Sequence, residues 1–118
     1  MPAHVVVVLR DPMLAGKTAE ALSRAGYSAM AMTNATSALL ALEAAKSVEL
    51  LITSANFPGS QPNGLALARL TRTKRPKLKV IFANGPEVKP HLEKDGLFIP
   101  TPTTPEVLVA AAENVLLS

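Results

Sequence analysis

The apolar positions follow two alternating periods along the chain. Short runs with little polar interruption, HVVVVL at His4–Leu9 and the LLIT that closes Val48–Thr53, have the continuous, branched character of strands covered on both faces. Tyr27–Met32 is a less apolar strand, placed nearer an edge, and Leu78–Phe82 and Leu97–Ile99 supply a fourth and a brief fifth. Between them run helical patterns. MLAGKTAEALSRA (Met13–Ala25) sets Met13, Leu14, Thr18, Ala21, Leu22 and Ala25 on one side. TSALLALEAAK (Thr36–Lys46) is helical by propensity, and a third helix runs from Gly64 to about Arg72, where Pro76 forbids continuation. Glu87–Asp95 holds a turn or two around Pro90, and Pro105–Leu117 is a last amphipathic helix. The punctuation agrees: Asp11 caps the first helix with Pro12 at its first position, Gly26 closes it, and Thr103 and Glu106 stand at capping-box spacing.

Five repeats of strand then helix predict an α/β domain over residues 1–118: a parallel sheet of five strands with helices on both faces, joined by right-handed crossovers. In such sheets ligands sit at the carboxyl ends of the strands. The positions of interest are therefore Leu9–Asp11, Thr53–Asn56, Ala83–Gly85 and Pro100–Pro102.

Composition narrows the chemistry. Hydrophobic residues make up 48% of the 118 and aromatics 3%, which gives an aliphatic core and excludes disorder. The absence of cysteine removes disulfides, thiolate zinc sites and cysteine nucleophiles. His4 and His91 read as solvated surface. No apolar run approaches the ~20 residues of a membrane span, and the amino terminus lacks the basic region of a signal peptide, so a soluble cytoplasmic protein is expected.

A net charge of +3 is small, but Arg69, Arg72, Lys74, Arg75, Lys77 and Lys79 put six cations into eleven positions with no acid between them. Such a run is either a solvated face or a patch for an acidic partner or a phosphate-bearing ligand. Nucleic acid is disfavoured, because no aromatics interleave the cations and no reading helix is evident.

Two motifs are near misses. DPMLAGKT (Asp11–Thr18) lacks the first glycine of a phosphate-cradling loop, and its Pro12–Ala15 reads as a first helical turn, leaving Gly16 and Lys17 as helix residues. Ser54 follows a buried strand, yet a hydrolase elbow wants glycine at both second neighbours, where Ile52 and Asn56 stand.

AEALSRAGY in the first helix, ELLITSANFPG around the third strand and LFIPTPTTPEVL before the last helix together resemble a bacterial response-regulator receiver domain across nearly the whole chain. The resemblance implies a flavodoxin-like, doubly wound sheet. It places the family's magnesium-holding acidic pair on Leu9 and Arg10, its phosphoacceptor on Ser54, its switch hydroxyl near Asn84, its switch aromatic on Phe98 and its phosphate-pairing lysine on Thr101, followed by a retained Pro102. Only two aspartates exist, Asp11, better used as a helix cap, and Asp95, far from the third-strand tip. Between Asn84 and Thr101 the chain is shorter than the family pattern, so the fourth helix is shortened or remodelled, and the docking and dimerisation face that receivers build there is placed in doubt.

Phosphoryl transfer from a phosphohistidine needs a carboxylate nucleophile and a divalent cation to neutralise the moving charge. Leu9 offers no oxygen, Arg10 a positive charge, and Ser54 a neutral hydroxyl without a base beside it. The expectation is a degenerate receiver without enzyme activity, metal or cofactor, acting as a phosphorylation-independent interaction or regulatory module in bacterial two-component signalling. Its partner would be a histidine kinase, a regulator or a neighbouring signalling domain, with homodimerisation left open. Arg10 either reaches toward Ser54 in place of the metal or points to solvent. The alternative function is a sensor that binds an anionic nucleotide through the basic stretch.

Overall fold

The computed structural model describes residues 4–45, 47–57, 63–85 and 95–117. Five strands form one parallel sheet: β1 (His4–Val8), β2 (Ser28–Met32), β3 (Leu50–Thr53), β4 (Lys79–Asn84) and β5 (Leu97–Pro100), in the order β2-β1-β3-β4-β5. Among the described residues, α1 (Pro12–Arg24), α2 (Ala35–Ala44) and α3 (Gly64–Lys74) connect β1 through β4 in turn, and α4 (Pro105–Leu116) follows β5. The short helix expected at Glu87–Asp95 lies outside the described residues except for Asp95.

The period-2 geometry of each strand sends successive side chains to opposite faces. Val6, Val8, Leu51, Val80 and Phe82 pack with Ala38 and Leu42 of α2 and Leu67 and Ala68 of α3. Val5, Val7, Leu50, Ile52, Ile81 and Ala83 pack with Ala15 and Leu22 of α1 and Leu108 and Ala112 of α4. Two aliphatic layers enclose the central strands, as continuous apolar runs require. β2 lies at an edge, and Ser28, Met30 and Ala31 are exposed there.

Helix ends follow local chemistry. The Asp11 carboxylate accepts the N–H groups of Met13 and Leu14, and Gly26, with φ of 98°, takes the left-handed turn after α1. The buried stripe of α1 is Ala15, Thr18, Ala19 and Leu22; Met13 and Ala25, expected on that side, are exposed. Met13 belongs to the first turn, and 66% of its surface faces solvent. Thr104, rather than Thr103, caps α4 by accepting the Val107 N–H, since Pro105 is the first helical residue and its predecessor takes the cap. No described helix is long and apolar enough to cross a membrane.

Candidate functional site: the carboxyl ends of the strands

Parallel strands bring the ends of β1, β3, β4 and β5 side by side, and a set of hydrogen bonds zips them together. The Ser54 N–H donates to Val8 O at 3.0 Å, and the Arg10 backbone N–H donates to Ser54 Oγ at 3.1 Å. The Ala55 N–H donates to Asn84 Oδ1 at 3.2 Å, and the Thr101 N–H donates to Asn84 O at 2.9 Å. Ser54 and Asn84 are buried, with relative exposures of 5% and 8%. The Thr53 hydroxyl turns inward and donates to Ser54 O.

His91 lies outside the described residues, whereas the residues singled out at the strand ends have definite places. Leu9 is in the core against α1, not at the mouth. Arg10 is exposed; its contact to Ser54 runs through the backbone, not the guanidinium. Phe98 is half-buried opposite Phe82 and packs on the α2–α3 layer. Thr101 is half-buried, and the bond between it and Pro102 is cis. The role of Asn84 as acceptor for the Ala55 N–H was not foreseen, because that bond spans 29 positions of sequence.

α3 meets this site at Gly64. A Cβ built there would lie 1.8 Å from Ser54 O, so only glycine allows the helix to start against the β3 tip, where its N–H donates to Ala55 O at 2.7 Å. Asn63 caps the same turn through the Ala66 N–H. By contrast, DPMLAGKT forms the cap and first turns of α1, with Gly16 and Lys17 exposed, so no open phosphate-cradling turn exists there.

No protein-family model and no curated protein sequence matches the chain. Solved structures do. A response regulator receiver protein from Sinorhizobium medicae aligns over 99% of this chain and 96% of its own, at TM-score 0.85 and 19% identity. The chain has the receiver-domain fold. The receiver domain of NtrX from Brucella abortus aligns over 97% and 98% at TM-score 0.82 and 25% identity, and that of the hybrid histidine kinase CckA over 97% and 99% at 0.79 and 23%.

The resemblance to receivers implies magnesium, which takes oxygen ligands, carboxylates above all, in octahedral array. Among the described residues that end β1, β3, β4 and β5, the one carboxylate is Asp11, already accepting two N–H bonds at the head of α1. Leu9 turns away into the core, Ser54 Oγ already accepts the Arg10 N–H, and Asn84 Oδ1 already accepts the Ala55 N–H. That donor set does not fit a divalent cation.

The basic stretch divides among three surroundings. Arg69 holds Asp95 through two hydrogen bonds of 3.2 and 3.3 Å, and Arg72 approaches the same carboxylate at 4.0 Å while donating to Leu78 O at 3.1 Å. Arg75 donates to Ala45 O, and Lys79 donates to Val115 O at 2.6 Å. Lys74 lines a groove toward α2, and Lys77 lies on the amino-terminal side of the sheet. Four of the six cations thus tie the fold together, and the stretch does not present one convergent anion site.

Proposed function

We propose that this protein is a degenerate receiver: a non-catalytic, phosphorylation-independent interaction or regulatory module of bacterial two-component signalling, working in the cytoplasm. Its partner is a histidine kinase, a regulator or an adjoining signalling domain. The observation that carries this reading is the state of Ser54, taken to stand where receivers hold their phosphoacceptor. Its hydroxyl is buried and neutral, it accepts the Arg10 N–H, and no described strand-end carboxylate is free to gather a cation beside it. A phosphoryl group arriving there would meet neither the nucleophile nor the counter-charge that in-line transfer requires. The fold it shares with receivers of response regulators and of a hybrid histidine kinase supports the signalling context.

The test is incubation with acetyl phosphate and magnesium, and separately with a phosphorylated histidine kinase, followed by intact-mass measurement. The unmodified mass is expected in both. A hydroxylamine-labile phosphoryl adduct would overturn the reading.

A further inference from the structure

α2 is unusual for a surface helix. Glu43 is its one charged residue, and its apolar residues run nearly all round, whereas a surface helix ordinarily confines them to one stripe. Ala35, Ala38 and Leu42 are buried, but Leu40 is 65% exposed on the outer crest. Across from it, α3 exposes 52% of Leu70. Between the helices lies a groove of about 160 Å³, with Leu39, Leu42 and Leu70 for a floor, Glu43 on the α2 wall, and Lys74 and Arg75 on the α3 wall. The guanidinium of Arg75 is held by Ala45 O, whereas Glu43 and Lys74 form no ion pair among the described residues.

We infer that this groove joins two copies of the chain about a two-fold axis. A two-fold contact is isologous, so each wall must complement the other wall of the same chain. Here it does. Setting the α2 wall of one copy against the α3 wall of the other brings each Glu43 to the partner copy's Lys74 and lays each Leu40 over Leu70, filling both grooves with apolar side chains. A flat anionic membrane would match Lys74 but repel Glu43 and leave the concavity unfilled. A uniformly acidic helix from another protein would meet the same repulsion. The inference rests on the phosphorylation-independent reading in one respect: the pairing is constitutive.

Sedimentation velocity on the full chain, over a concentration series with and without acetyl phosphate and magnesium, tests it. A dimer is expected in both conditions. Leu40→Glu should weaken it by roughly tenfold or more, because a charge would be buried at the centre of the interface. Glu43→Lys and Lys74→Glu should each weaken it about tenfold, through two like-charge contacts per dimer, and the double variant E43K/K74E should restore it. Val107→Glu, on the exposed face of α4, should leave it unchanged. These positions are exposed or line the open groove, so circular dichroism should report an intact fold in each variant. A monomer in both conditions would overturn the pairing while leaving the proposed function standing. A dimer formed only with the phosphodonor would overturn its constitutive character and, with it, phosphorylation independence. A dimer abolished by Val107→Glu but not by Leu40→Glu, a double variant that fails to restore it, or a monomer that floats with phosphatidylserine vesicles would also refute it.

Discussion

Replacing Gly64 with alanine adds one methyl group to the point where α3 meets the β3 tip. That methyl would stand 1.8 Å from Ser54 O, 2.9 Å from Ser54 C and 3.1 Å from Ala55 Cα, all main-chain atoms without rotamers to move. Relief requires the first turn of α3 to retreat by more than an ångström, which stretches the 2.7 Å bond from the Gly64 N–H to Ala55 O. Overpacking of this kind costs about 1–3 kcal/mol, and weakening the bond adds up to about 1 kcal/mol. Restricting the unfolded chain returns roughly 0.4–1 kcal/mol. The net expectation is a loss of about 2 kcal/mol. Gly16→Ala is the matched control. Gly16 lies within α1 with nothing within 4 Å of an added Cβ, so the same substitution should stabilise by roughly 0.8–1 kcal/mol through helix propensity alone. Urea denaturation followed by circular dichroism, with equal m-values, reads both. The two changes should differ in sign. A Gly64→Ala protein as stable as the wild type would refute the close seating of α3 on the strand tip, and with it the geometry given for Ser54.

Other substitutions probe the site and its frame. Asn84→Ala should cost about 1–3 kcal/mol in urea denaturation and hasten hydrogen exchange at the Ala55 amide, which loses its buried acceptor. Thr18 Oγ1 is fully buried without a hydrogen-bond partner among the described residues, so Thr18→Val should raise stability by about 1 kcal/mol; a loss would reveal a partner for that hydroxyl. A double-mutant cycle of Arg69→Ala and Asp95→Ala should give a coupling below about 1 kcal/mol that shrinks in high salt, because Arg69 is 63% exposed.

The fold was legible because the central strands are covered on both faces: HVVVVL and LLIT can only be buried runs, and their alternation with capped helices leaves few topologies. The weaker apolar character of β2 marked its edge position correctly. The reading slipped where capping competes, as at Thr103 and Thr104, and in the first turn of α1, where Met13 is exposed. The candidate site was legible as a set of strand ends but not as a bonded array, since Asn84 reaches Ala55 and Arg10 reaches Ser54 only through tertiary register. The pairing within the basic stretch was hidden for the same reason. Its neutralising acid, Asp95, is 26 positions from Arg69 in sequence and within hydrogen-bond distance in space.

Paramagnetic manganese, which shares magnesium's preference for oxygen ligands, offers the most direct measurement of whether the strand ends can gather a divalent cation. Titrated into uniformly ¹⁵N-labelled protein, it should leave the amide signals of Arg10, Asp11, Ser54 and Ala55 no more broadened than those of exposed residues elsewhere. Selective, saturable broadening centred on those four amides, reversed by excess magnesium, would contradict the account.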